Sequence, residues 1–367
     1  MSENRHPSRL DASSGCSVHG IGISDGPDLP AVDYGAVGQQ APTMLDTPGD
    51  YLPEADAVVI TWAEAEWAAM QQVFCPTGEP MPYSARNTGY WSGWQKYWKG
   101  ASDSGCGCDG SDCYWGYYRL VEVAGHRVLL LKSNVHLDEE NGEACLEQLA
   151  GMLIDYVKPG LILSIGTAGG SRLTDAIGTV NIVNAATLDT GSGTWPTYSN
   201  GWQPSHAVLG AGGFPSLLFP VPTTGSDLQS LASHFDQACH GGYSLDELDP
   251  GGLDYGRTPP AINDLTPQGT SLLTTSSFVV GTTSGSYDQY AVIEMDDAVL
   301  WKVCQERGTP FGSVRNVSDP VQNAALPSEA QSNWGSILYD TYGVYTSYNG
   351  ALATWAILCG QWGSSGS

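Results

Sequence analysis

The sequence predicts an α/β fold, and three stretches carry that expectation. Leu161-Ile162-Leu163-Ser164-Ile165-Gly166-Thr167-Ala168-Gly169-Gly170 is an apolar run of strand length that ends in a small-residue turn. Such a run reads as a buried parallel strand presenting a loop at its C-terminal end. Asn141 to Val157 carries Ala144, Leu146, Leu149, Met152, Leu153 and Tyr156 at helical spacing, and Lys158-Pro159-Gly160 stops it just before that strand. Leu120 to Leu131 reads as a hairpin turning at Ala124-Gly125-His126. Open α/β sheets bind ligands beyond the C-terminal ends of their strands. Glycines there let backbone come close to a ligand, so the 166–170 turn is the first candidate site; the plainer reading is a tight turn and nothing more.

Composition bounds the function. A chain of 367 residues, 41% of them hydrophobic, can bury a large core in one α/β domain with insertions or in two domains. Its 14 Lys and Arg against 39 Asp and Glu give a formal charge of −25. That field repels polyanions, which speaks against nucleic acid, anionic membrane surfaces and heavily phosphorylated substrates; a high-salt milieu accounts for the same acidity. No apolar run reaches the roughly 18 residues of a membrane span, and residues 1–30 lack the apolar core of a secretory signal. The expectation is a soluble, cytoplasmic protein. Cys145, Cys304 and Cys359 lie within apolar helical patterns and read as reduced, buried small hydrophobes.

In chain order, residues 1–50 form an irregular arm rich in Ser, Gly, Pro and Asp. A core domain over 51–362 follows, and 363–367 is a flexible tail. Ala55 to Ile60 reads as the first strand, leading into a helix from Trp62 to Met70. An insert at about 76–118 interleaves Trp91, Trp94 and Trp98 with Lys96 and Lys99, then places Cys106, Cys108 and Cys113 in a polar loop. The cysteines invite a zinc reading but lack a second ligand pair, so no metal is expected, and a disulfide within the loop or free thiols is the plainer answer. The aromatics suit a lid, a subunit interface or, most simply, a satellite core. Gly178 to Val183 supplies a second short strand. Residues 190–270 read as an elaborated loop region with one helix near Asp227 to Phe235. Ser271 to Val280 reads as a strand holding Phe278 at its end. Ala291 to Leu300 leads into a helix through Trp301 and Cys304, Thr309 to Pro320 reads as strand then loop, and Trp334 to Trp362 as a terminal helix broken near Asn349-Gly350.

The Ile165-Gly166-Thr167-Ala168-Gly169-Gly170 turn with Gly178-Thr179-Val180-Asn181-Ile182-Val183, then Glu294-Met295-Asp296 before a helix and Arg315-Asn316-Val317-Ser318-Asp319 at a strand end, resemble the nucleoside phosphorylase/nucleosidase superfamily. Within it they are most similar to the methylthioadenosine/S-adenosylhomocysteine nucleosidase type. The resemblance covers about 54–76, 120–189 and 271–362. It implies a three-layer αβα sandwich with a mixed central sheet and large loop insertions. It also implies cleavage of the N-glycosidic bond of a purine, adenine-type nucleoside without a cofactor. By the same resemblance Asp319, behind Ser318, is the general acid for the leaving base, and Glu66 activates the attacking water. Asp296 takes the ribose hydroxyls, in the motif that begins at Glu294, and Met295 lies beneath the sugar. Phe278 stacks on the base, the Val279 backbone bonds its edge, and Thr167, Ala168 and Gly169 line the cavity. The family has Glu where this chain has Asp296, so the carboxylate is withdrawn by one methylene.

Plainer readings stand beside these: a solvated helix face for Glu66, a core side chain for Phe278 and a structural role for His136. Phosphorylases of the superfamily hold phosphate with arginines at places where this chain has Thr61 to Ala63 and Ser164. Water is therefore the expected nucleophile. The alternatives are a phosphorylase whose phosphate ligands come from the inserts, such as Arg86 or Arg257, and a nucleoside-binding or storage protein. The superfamily commonly completes its site with a neighbour's loop, so a homo-oligomer, most simply a dimer, is expected, with Trp91, Trp94 and Trp98 as interface anchors.

Overall fold

Two strands built from Val, Ile, Leu and Ala, Ala57–Thr61 and Leu161–Gly169, are buried on both faces, as strands covered by helices above and below must be. The computed structural model describes residues 25–49, 51–99, 106, 113–223, 225–250 and 260–363. In chain order its elements are β1 (Thr43–Met44), β2 (Ala57–Thr61), α1 (Glu64–Phe74), β3 (Gln95–Trp98), β4 (Tyr114–Val123), β5 (His126–Ser133), α2 (Gly142–Met152), β6 (Leu161–Gly169), β7 (Val180–Val183), β8 (Ala185–Asp189) and β9 (Thr197–Ser199). They continue with α3 (Gly225–Cys239), α4 (Leu245–Leu248), β10 (Ile262–Asp264), β11 (Leu272–Thr275), β12 (Ile293–Glu294), α5 (Asp297–Arg307), β13 (Phe311–Asp319) and α6 (Ser328–Trp362).

The strands form one mixed sheet. β2 pairs in parallel with β5 and β6, and β6 in parallel with β13. β4 runs antiparallel to β5, and β13 antiparallel to β7. The sheet forks at β6: its first half lies beside β2, its last residue beside β12, and β13 follows it along the other edge. Successive side chains point to opposite faces, which splits the interior in two. Val59, Leu163, Ile165 and Val314 pack under Trp67 and Met70 of α1 and Trp334, Tyr342 and Trp355 of α6. Val58, Ile60, Ile162 and Val317 pack under Leu146 and Leu149 of α2 and Leu300 and Trp301 of α5. The architecture is the three-layer α/β/α sandwich.

Several expectations change in detail. α6 runs unbroken from Ser328 to Trp362. Asn349 and Gly350, which suggested a break, serve packing instead: the Asn349 amide exchanges hydrogen bonds of 2.8 and 2.7 Å with the Phe219 backbone, and Gly350 lies against the Asn316 side chain. β11 ends at Thr275, so Phe278 and Val279 belong to the loop beyond it. The arm is irregular but seated, with Tyr34 donating to the Val73 carbonyl at 2.6 Å and β1 pairing with β4; residues 1–24 lie outside the described residues.

Cys145 is not a free thiol. It is disulfide-bonded to Cys106, tying the insert to α2, and Cys113 and Cys239 each take part in a further disulfide, not with one another. Cys75, Cys304 and Cys359 are free and buried. Structural disulfides belong to oxidising compartments, so cysteine usage no longer supports the cytoplasmic expectation. They also remove Cys106 and Cys113 as zinc ligands, while Cys108 lies outside the described residues. No described helix is long and apolar enough to cross a membrane. Of the insert's tryptophans, Trp94 is fully buried against Trp67 and donates to Gln71 at 2.7 Å. It belongs to the main core and cannot anchor an interface; Trp98 is exposed.

Candidate active site

The site is built where β6 ends. Gly169 is flanked by Ile293 of β12 on one side and Asp319 of β13 on the other, and the Gly170 N–H donates to the Asp319 carbonyl at 2.8 Å. The loop after β11 is laced to the loop after β13 through Gln322, which donates to Gly281 and accepts from Thr283. The glycine turn, the Glu294–Asp296 segment, the loop bearing Phe278 and Val279, and Ser318–Asp319 thus meet at one end of the sheet. Val279 packs against Leu273, Tyr290 and Ile293. Phe278 is half-buried in the loop rather than a fully buried core side chain.

Asp319 sits over the turn. Its carboxylate is 3.0 Å from where a Cβ on Gly169 would stand, so glycine is what lets the two approach. One oxygen accepts from Ser318 Oγ at 2.8 Å. Burial pushes the carboxyl up to about 6, against the pull of the Ser318 hydroxyl.

Glu66 is buried too, which excludes the solvated helix face. From the first turn of α1 it reaches back to the end of β2. Oε2 accepts from Thr61 Oγ1, Trp62 N and Ala63 N, each at 2.9 Å. Oε1 accepts from the N–H and the hydroxyl of Thr167, both at 2.7 Å. Burial alone would raise its pKa, but the Arg315 guanidinium and the Thr167 donors overcome it and hold the carboxyl below its ordinary value. Thr167 is therefore the link between Glu66 and the glycine turn.

Arg315 organises the floor. Its guanidinium grips Asp297 through Nε at 2.8 Å and through Nη2, pairs with Glu294 at 2.9 Å, and donates to the Thr167 carbonyl at 3.2 Å. Ser164 and Ser313 complete the Asp297 carboxylate. Burial opposes the charge on Arg315, but Asp297 and Glu294 hold it. Glu294 faces inward: it accepts from the Asp296 N–H at 2.8 Å, the Asp297 N–H and the Thr274 hydroxyl, and so fixes the start of α5. Burial and Asp297 push its carboxyl up. The sequence motif named Arg315 without giving it a task; a strand Arg pointing into its own sheet has no one-dimensional signature.

Asp296 follows at the N-cap of α5. Its Oδ1 accepts from the Leu137 N–H at 3.0 Å, and its Oδ2 lies 3.4 Å from His136 Nδ1. Met295 beside it is half-buried. His136, set aside on sequence, therefore shares the site, as do two further residues. Lys132, buried at the end of β5, lies 3.9 Å from Glu64; burial lowers its pKa while Glu64, Glu66 and Glu139 oppose that. Tyr339 of α6 is in electrostatic range of Glu66, Glu64 and Asp319. A helical Tyr amid an apolar pattern reads as core, which is why sequence alone passes over it. A groove of ≈ 470 Å³ is lined by Leu137, Asn141, Glu143, Glu147, Thr190 and Ser276; the Leu137 N–H is the one that donates to Asp296.

The model of the phosphorylase superfamily matches residues 114–335. Among solved structures, the chain is similar to the 5′-methylthioadenosine/S-adenosylhomocysteine nucleosidase of Neisseria meningitidis bound to methylthio-immucillin-A, with 14% identity, 83% of this chain and 98% of that chain covered, and a TM-score of 0.45. The corresponding Helicobacter pylori nucleosidase, a mutant form holding 5′-methylthioadenosine, gives 11% identity, the same coverages and a TM-score of 0.46. Futalosine hydrolase of Helicobacter pylori strain 26695 gives 11% identity, coverages of 82% and 97%, and a TM-score of 0.41. No curated protein matches the chain.

Proposed function

The chain belongs to the phosphorylase superfamily, and on that premise we propose that it hydrolyses the N-glycosidic bond of a purine nucleoside, with water rather than phosphate as the nucleophile. The choice of nucleophile rests on one observation. Among the described residues the buried cations are Arg315 and Lys132, and both face carboxylates: Arg315 is held by Asp297 and Glu294, Lys132 by Glu64 with Glu66 and Glu139 nearby. A phosphate dianion finds no uncommitted charge there. Arg86 is stacked on the Tyr83 ring at 3.9 Å, and Arg257 lies outside the described residues.

In this reading Asp319 delivers a proton to the departing base, for which a carboxyl raised to about 6 is suited near neutral pH. Phe278 stacks on the base, and the Val279 backbone bonds its edge. The sugar lies over Met295 with Thr167, Ala168 and Gly169 along the cavity wall, and Asp296 addresses its hydroxyls. Glu66 holds and polarises the water; the Thr61 and Thr167 hydroxyls that donate to it in the free protein are the bonds a water can displace. As the C–N bond breaks, its electron pair leaves with the base and Asp319 supplies that base with its proton. Water adds to the anomeric carbon and gives its surplus proton to Glu66, from which it returns through solvent to Asp319. Incubation with adenosine derivatives, with and without phosphate, tests this: free ribose products without phosphate are expected. Ribose 1-phosphate formed only with phosphate would overturn the hydrolytic reading, and tight binding without turnover would mark a binding protein.

A further inference from the structure

We propose that His136 belongs to the sugar-binding site, forming a dyad with Asp296 in which the histidine Nε2 meets a ribose hydroxyl. The proposal rests on the reading of Asp296 as the sugar ligand and says which atom does the touching. Both oxygens of Asp296 are already engaged by the loop after β5, one by the Leu137 N–H at 3.0 Å and the other by His136 Nδ1 at 3.4 Å. The shorter side chain is thus drawn back onto that loop. The Asp296 side chain is 6% exposed and that of His136 20% exposed, so the ring is the part of the pair that a ligand can reach.

The bond also fixes the tautomer. An ionised carboxylate only accepts, so Nδ1 carries the hydrogen and Nε2 stands at the opposite edge of the ring. Neutral, Nε2 accepts from a hydroxyl; protonated, it donates to one. The groups facing His136 are Asp296 from the start of α5, Lys132 from β5, and Asp138 and Glu139 from its own loop, with the uncharged Trp62 ring 6.1 Å away. Burial and Lys132 disfavour its charge, but Asp296 and Glu139 prevail and raise its pKa.

Three substitutions separate a contact from a structural role. His136→Asn keeps a donor for Asp296 where Nδ1 stood but has nothing at Nε2; His136→Gln places an amide near Nε2; His136→Ala removes both. Dissociation constants for the uncleavable C-nucleoside (9-deaza) forms of adenosine, 2′-deoxyadenosine and 3′-deoxyadenosine, measured by calorimetry at pH 6 and pH 8, give the readout, with cleavage of the parent nucleosides followed separately. The Asn and Ala variants should bind adenosine about 10-fold more weakly, the worth of one hydrogen bond. They should bind the deoxynucleoside lacking the contacted hydroxyl as wild type does. Gln should recover part of the loss. The part of the pH dependence that wild type shows for adenosine but not for that deoxynucleoside should vanish in the Asn variant. Full recovery by Asn, or an equal loss on all three sugars, overturns the proposal while hydrolysis by wild type still stands. Sugar-selective binding without cleavage instead overturns the hydrolase reading and leaves the dyad. A wild type that binds none of the three overturns both.

Discussion

Asp319 and Glu66 are buried to nearly the same degree, 6% and 3% exposed, yet their surroundings push them in opposite directions. Asp319 receives one side-chain hydrogen bond, meets no lowering cation among the described residues, and rises to about 6. Glu66 receives five hydrogen bonds, lies near Arg315, and is held below its ordinary value. Burial by itself therefore does not decide whether a carboxyl keeps its proton; the donors and charges around it do. In the proposed hydrolysis, the raised carboxyl is the one to give a proton and the lowered one is the one to hold water. That separation is what glycoside-type cleavage needs from two acids.

The largest effect should appear in the chemical step. Asp319→Asn keeps shape and can donate a hydrogen bond but cannot hand over a proton, so purine nucleoside cleavage should slow roughly 10²–10⁴-fold. A nitrophenyl riboside, whose leaving group needs no proton, should recover much of that. Glu66→Gln should slow both substrates alike, because water is common to them. With Asp319 as the acid, the wild-type rate should decline as pH rises through about 6. Equal damage by Asp319→Asn on both substrates would refute the acid role.

Next comes the cation that sets Glu66 apart. Arg315→Met leaves Asp297 and Glu294 buried without their counter-charge and should cost about 3–5 kcal/mol in urea unfolding at neutral pH. Arg315→Lys, which keeps the charge but not the two-pronged grip, should cost less. Because the stranded carboxyls can take up protons, the loss for Met should shrink as pH falls. A Met variant as stable as wild type at pH 7 would mean that Arg315 is not what offsets these charges.

How much of this was legible follows from what each residue's task looks like in one dimension. The glycine turn was readable because small residues visibly break an apolar run at a strand end, whereas the segments 294–296 and 315–319 were picked out by the resemblance. The α/β class followed from strands without a polar face, and the three-layer sandwich from the resemblance. Glu66 was readable only through the resemblance: two residues from Glu64 on a helix start, it looks like solvated charge, and only the fold reveals five donors around it. His136, Lys132 and Tyr339 were not legible, since each is a lone polar residue whose partners are 160, 68 and 273 positions away in Asp296, Glu64 and Glu66. Cys145 misled for a related reason. Its helical apolar spacing is real, but its partner Cys106 lies 39 positions away in an insert whose path the sequence does not disclose. At Asn349-Gly350 local propensity suggested a break, and packing against Phe219 and Asn316 overrode it.

The smallest effect is the sharpest test of the contrast, because one kind of substitution should act with opposite sign at the two sites. Asp319 moves from an ordinary 3.8 to about 6 on folding. A carboxyl raised in the folded state favours folding while it is protonated and loses that contribution as pH climbs from about 4 through about 6. At roughly 1.4 kcal/mol per unit, the ionised Asp319 burdens the fold by at most about 3 kcal/mol at pH 7. Asp319→Asn removes that charge and should raise the urea midpoint at pH 7, with the gain fading towards pH 4. Glu66 is lowered, so it stabilises the fold above its ordinary 4.5 and loses that contribution as pH falls through its folded value. Glu66→Gln points an amide N–H₂ at donors that an oxygen had satisfied, and should lower stability by about 1–3 kcal/mol at pH 7. If both amides move the midpoint the same way at pH 7, burial alone governs the two carboxyls, and the division of labour drawn from them fails.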